Sequence, residues 1–228
     1  MRRPCLIILT MLFLAVAVVA AAKDGAQYFR LLEAQEYALD MLYSSELERV
    51  YVQVEFSVDR ASLDPEARYG MFLDNSAIVQ AIMVGGLDQT SYQVSNLKPA
   101  LFKPKLNQPE LLLENSPNGF LGINLPALSQ LPPIVQIKLW YYLPVPPVTE
   151  QKDQNLATDL DAKRYWYPRN IHGDAKVNLK LTTVKYFILQ IGDVAAPRVD
   201  GEFGRVHEIS YSDKAKKPAT FRLIRDRS

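Results

Sequence analysis

The chain is poor in the residues that carry most metal and nucleophile chemistry: its 228 residues include one cysteine and two histidines. Cys5 lies ahead of the first apolar run, so the domain that follows has no thiol. That excludes from the domain a cysteine nucleophile, Cys-ligated zinc and an iron–sulfur cluster. No Asn-x-Ser/Thr acceptor occurs. Small secreted eukaryotic domains ordinarily carry disulfides, so a disulfide-free exported chain fits a bacterial periplasm or cell surface. A glycine-rich phosphate cradle and a Gly-x-Ser-x-Gly elbow are also missing, which argues against nucleotide chemistry and against a serine hydrolase. With a formal net charge of +1 there is no electrostatic footprint for nucleic acid. Internal repetition at a period of 20–50 residues is lacking too.

Residues 1–22 read as an export signal. Arg2 and Arg3 supply the positive start, residues 6–19 are apolar and uncharged, and Ala20, Ala21 and Ala22 offer small residues for cleavage before Lys23. An uncleaved anchor is the alternative reading of that stretch; after cleavage no stable membrane span is expected. What remains, 23–228, suits one domain with one buried core. Hydrophobic residues make up 48% and charged residues 22%, an ordinary globular balance.

From Arg49 the apolar period is two: Val50, Val52, Val54, Phe56 and Val58 alternate with polar neighbours, the pattern of a half-buried strand. The same alternation returns at Val135, Ile137, Leu139, Tyr141 and Leu143, and at Val177, Leu179 and Leu181. Shorter strand candidates fall near 67–73, 90–94, 110–114, 119–125, 184–191, 204–211 and 219–224. Turn signals stand at Asp64-Pro65, Gly85-Gly86, Asn118-Gly119 and Asp200-Gly201. Many short strands without strand–helix alternation predict a mainly β fold, an antiparallel β-sandwich or jelly roll. Two helices are expected beside it. Tyr28, Leu31, Leu32, Leu39 and Leu42 recur at helical intervals behind Asp24, predicting an N-terminal amphipathic helix through Tyr43. Capping residues at 74–76 and Gly85 favour a short helix over 74–85, with a buried strand as the alternative. Pro144, Pro146 and Pro147 open an irregular insertion over about 144–172.

Five surfaces are candidates for function. In the strand around Trp140, that residue and Tyr142 share the face opposite the aliphatic one, where flat rings could meet a sugar or a subunit. Tyr165, Trp166, Tyr167 and Arg169 concentrate interface residue types in the insertion, with capping of the core as the competing reading. Lys214, Lys216, Lys217 and Arg222 form a basic tail that could dock an acidic partner. Asp153, Asn155, Asp159 and Asp161 could offer oxygens to a hard cation, although neither the spacing nor a central Gly matches an EF-hand loop, so no metal is expected. His172 with Asp174, and His207, lack a recognisable nucleophile, so no catalytic residue is assigned.

These features lead to an exported, non-enzymatic envelope protein that assembles with other envelope or surface proteins, without cofactor. A carbohydrate-binding module using Trp140, Tyr142 and Trp166 is the alternative. A glycoside hydrolase comes third, since its paired acids need no local motif.

Overall fold

The computed structural model describes residues 28–44, 46–88, 92–94, 101–106, 108, 111, 113, 115–145, 157–160, 163–184, 187–202, 204–214 and 219–225. The expected export signal, Asp153, Asn155, Asp161, Lys216 and Lys217 lie outside them. Among the described residues no helix is long and apolar enough to cross a membrane.

The fold is mainly β. Its centre is the pair predicted most clearly by alternation: β3 (Arg49–Asp59) runs antiparallel to β9 (Ile134–Pro144) in unbroken register from Arg49 opposite Pro144 to Asp59 opposite Ile134. On the other side of β3 lies β2 (Glu36–Ser44), antiparallel to it, and β11 (Ala175–Thr183) pairs with β2 in parallel. Adding β15 (Arg205–Asp213) and β14 (Arg198–Asp200) at one edge, and β5 (Ile78–Val84) and β6 (Leu87–Asp88) at the other, gives eight strands in the order β14-β15-β11-β2-β3-β9-β5-β6.

Two four-stranded sheets complete the described residues. One is β1 (Tyr28–Leu31), β4 (Ala67–Asp74), β8 (Asn118–Ile123) and β7 (Tyr92–Val94); the other is β10 (Ala157–Leu160), β16 (Phe221–Arg225), β12 (Phe187–Ile191) and β13 (Val194–Ala195). One cluster of buried residues joins the inner face of the large sheet, through Leu39, Val54, Leu139 and Leu179, to Met71 and Leu121 of the first small sheet and to Leu189 and Leu223 of the second. Each such side chain contributes about 1.5–3 kcal/mol of burial. The first small sheet is covered on both faces, because Phe72 and Phe120 point away from that core and pack with Phe102 in a second cluster. Gly70 permits this: a Cβ there would stand 2.3 Å from the Phe120 ring and 2.4 Å from the Leu121 carbonyl oxygen.

Four expectations are corrected. Residues 28–44 form β1 and β2 instead of an amphipathic helix, because Tyr37, Leu39, Met41 and Tyr43 alternate inward at period two while Leu42, counted on the helical stripe with Leu39, is 49% exposed. The 74–85 segment holds no helix: Asp74 ends β4, residues 75–76 turn, and Ile78–Val84 form β5 ahead of a second turn where Gly85 and Gly86 adopt φ of 58° and 86°. Asn118-Gly119 is no turn; it opens β8. The 144–172 stretch is not irregular throughout, since it supplies β10 and a buried segment described below.

Candidate interaction surface

Alternation that buries one face of β2, β3, β9 and β11 leaves their other side chains on the outer face of the large sheet. Strand register then lines up Leu42, Tyr51, Tyr142 and Ile78 as one row across β2, β3, β9 and β5. Leu42 and Ile78 are 49% and 45% exposed, and the rings of Tyr51 and Tyr142, partly covered, lie 6.0 Å apart between them. The Arg49 guanidinium stands 4.4 Å from the Tyr142 ring centroid, a cation–π contact. In the next row the Trp140 indole Nε1 donates to Gln53 Oε1 at 2.8 Å. Gln53 Nε2 in turn donates to Glu55 Oε1 at 2.7 Å, and Lys138 Nζ donates to the same oxygen at 2.9 Å. Lys138 holds the Glu55 carboxyl below its ordinary pKa. These bonds fix Trp140 and Gln53 in place before any ligand arrives.

Trp140 and Tyr142 therefore stand on the outer face, as their strand parity requires. Tyr51 was missed by sequence reading, although its alternation in β3 puts it on the same parity and only cross-strand register brings it beside Tyr142.

The second aromatic group is not a surface. Tyr165, Trp166, Tyr167 and Arg169 are buried, with Trp166 1% exposed. Their segment can cross the interior because its backbone polar groups find partners there. Asn118 Oδ1 accepts from the Tyr165 amide at 2.6 Å and its Nδ2 donates to the Lys163 carbonyl at 2.8 Å; the Asp74 amide donates to the Tyr165 carbonyl at 2.8 Å, and Tyr141 Oη donates to the Trp166 carbonyl at 2.7 Å. Trp166 packs against Tyr167 and Phe221 at centroid distances of 4.6 and 5.1 Å. The expectation that these four residues contact a partner or glycan is thus corrected: they cap and fill the core.

The basic tail is corrected in part. Arg222 lies in β16, flanked by β10 and β12, so it belongs to a sheet; Lys214 is exposed. Asp159 of the proposed cation loop stands in β10 opposite Arg222 in register. Among the described residues no group of three or more His, Cys, Asp or Glu is placed to hold a metal. His172 Nδ1 lies 3.1 Å from Glu33 Oε2, and His207 is buried with Nε2 3.2 Å from the Phe187 carbonyl oxygen.

No protein-family model matches the chain, and no curated protein matches it in sequence. Among solved structures it is similar to an M1 zinc metallopeptidase from Deinococcus radiodurans bound to a Tyr-Ser-Ala substrate, with a TM-score of 0.52 and 12% identity over 84% of this chain. It is also similar to native yeast LTA4 hydrolase, with a TM-score of 0.51 and 10% identity over 85% of this chain. The chain spans 42% of the first structure and 29% of the second. At these identities the likeness is one of fold. His207-Glu208 starts the His-Glu-x-x-His pattern that zinc peptidases place on a helix, but position 211 is Tyr and the segment is strand β15 with His207 facing inward.

Proposed function

We propose that this chain is an exported, non-catalytic β-sandwich that acts as an assembly subunit, binding another envelope or surface protein through the outer face of its large sheet. The observation that carries the reading is the row Leu42, Tyr51, Tyr142 and Ile78 with Arg49 stacked on Tyr142. Aromatic rings and arginine dominate interface hot spots, and the exposed aliphatic ends of the row favour a protein partner over a sugar, which would use the rings and leave Leu42 and Ile78 wet.

A photo-crosslinking side chain at position 42 should capture a discrete envelope protein in the producing cell, and the same group at position 176, away from the row, should not. Leu42→Glu and Tyr142→Glu should each abolish co-purification of that protein. Equal capture from both positions would remove the row as an interface.

A further inference from the structure

Beside the aromatic row the outer face dips between β3 and β15 into a trough of about 330 Å³. That volume is at the lower end of small-ligand sites. Its shape follows from one small residue. Ala38 in β2 stands between Glu55 of β3 and Asn178 of β11 in register, and a methyl group there leaves the floor low while longer side chains rise on either side. Two residues along, Asp40 stands between Gln53 and Lys180, and Lys180 pairs with Glu208 of β15.

The walls are polar and already held. Gln53 is fixed by Trp140 and Glu55, as described above. On the opposite wall Ser210 Oγ donates to Asn178 Oδ1 at 2.7 Å, and Asn178 Nδ2 donates to Glu36. The Gln53 and Asn178 amides each keep a second lone pair on oxygen and a second hydrogen on nitrogen for a ligand, and Glu55 offers its Oε2, since its Oε1 already accepts from Gln53 and Lys138. Such forked groups match neighbouring hydroxyls on a sugar ring. Asp40, Glu55 and Glu208 outnumber Lys180 in the lining, which repels phosphates and uronates. One strand beyond Gln53, outside the lining, stands the partly exposed Trp140 indole, anchored to Gln53 through its N–H.

The geometry points to a saccharide site: the trough takes an uncharged oligosaccharide that lies across β15, β11, β2 and β3 with one ring against Trp140. This site is separate from the protein contact proposed above, and its test is independent of that reading.

Tryptophan emission reads the site directly, because Trp166 is buried and gives a constant background. The full chain is titrated with cellohexaose, maltohexaose and N-acetylated chitohexaose, and with hexagalacturonate as the charged control. At least one uncharged hexamer should shift the emission with half-saturation below about 1 mM, and hexagalacturonate should not. Asn178→Ala and Asp40→Asn should weaken the response tenfold or more, while Leu42→Glu leaves it unchanged. Ser210→Ala, the removal of one exposed hydroxyl, gives a second variant should either of the first two lose its far-UV circular dichroism. No response to any uncharged hexamer at about 5 mM, or a response that survives Asn178→Ala and Ser210→Ala intact, overturns the proposal. A crosslinker at position 178 that captures the same protein as one at position 42 assigns the trough to that protein and overturns it too.

Discussion

Arg169 and Asp213 form a bidentate ion pair inside the protein, Nε to Oδ2 at 2.5 Å and Nη2 to Oδ1 at 2.8 Å, with side chains only 3% and 4% exposed. Tyr167 Oη donates to the same carboxylate. Burial works to lower the Arg169 pKa, and the Asp213 charge and its hydrogen bonds outweigh it, so the guanidinium is held charged. The pair ties the buried 165–170 segment to the end of β15. Asp213→Ala leaves that charge without its partner and should cost about 3–5 kcal/mol in urea unfolding. Arg169→Met with Asp213→Leu should cost less than Asp213→Ala alone, because it removes both charges together. A loss under about 1 kcal/mol for Asp213→Ala would mean the guanidinium finds water.

The two tryptophans should separate in a quenching experiment. In Trp140→Phe the remaining Trp166 should resist acrylamide, and in Trp166→Phe the remaining Trp140, partly exposed beside Gln53, should quench readily. Comparable quenching in the two variants would contradict the burial of the 165–170 segment.

The same residues show how far a sequence can be read. Wherever apolar side chains alternate over nine or more residues, as in β3, β9 and β11, the strands follow directly from the pattern. Residues 36–44 carry that alternation too, but Ala38 and Leu42 on the outer parity blur it, and Leu39 with Leu42 then mimics a helical stripe. Trp140 and Tyr142 could be placed because parity within one strand is local information. Trp166 could not, because aromatic-rich segments look alike whether they cap a core or bind a partner; its burial depends on Asn118 and Asp74, more than 40 positions away. The trough was illegible for a similar reason: it exists only through the register of four strands, two of them joined in parallel.

His207 predicts a pH dependence. Burial lowers its pKa, and the nearby Arg205 and Arg198 charges act in the same direction against its bond to the Phe187 carbonyl. The unfolded chain takes up this proton near pH 6.5, roughly, whereas the folded state resists it. Below that pH the unfolded state binds more protons, so stability is full above about 6.5 and falls as the pH drops toward the folded pKa. The urea midpoint should therefore decrease between about pH 7.5 and about pH 5.5. His207→Gln should flatten the change. A wild-type slope that persists undiminished in His207→Gln would assign the titration elsewhere.

The basic C-terminal stretch invites deletion as a test of docking, yet the structure predicts that deletion tests folding instead. Residues 221–225 form β16, the strand that pairs with both β10 and β12. Phe221 and Leu223 are buried in the main core, Phe221 against Trp166. Removing a buried phenylalanine alone costs about 3–5 kcal/mol, set against a total stability of about 5–15 kcal/mol for a domain. Truncation after Asp213 also strips hydrogen-bonded partners from two neighbouring strands, so the shortened chain should lose its cooperative urea transition. Lys214 offers the cleaner probe, since its side chain is exposed while only its carbonyl accepts from Arg169. Lys214→Glu should stay within about 0.5 kcal/mol of wild type and should weaken, in a salt-dependent way, any partner that docks on this end. If the truncated chain instead unfolds cooperatively at a near-native midpoint, β16 is dispensable and the residues after Asp213 are a true appendage.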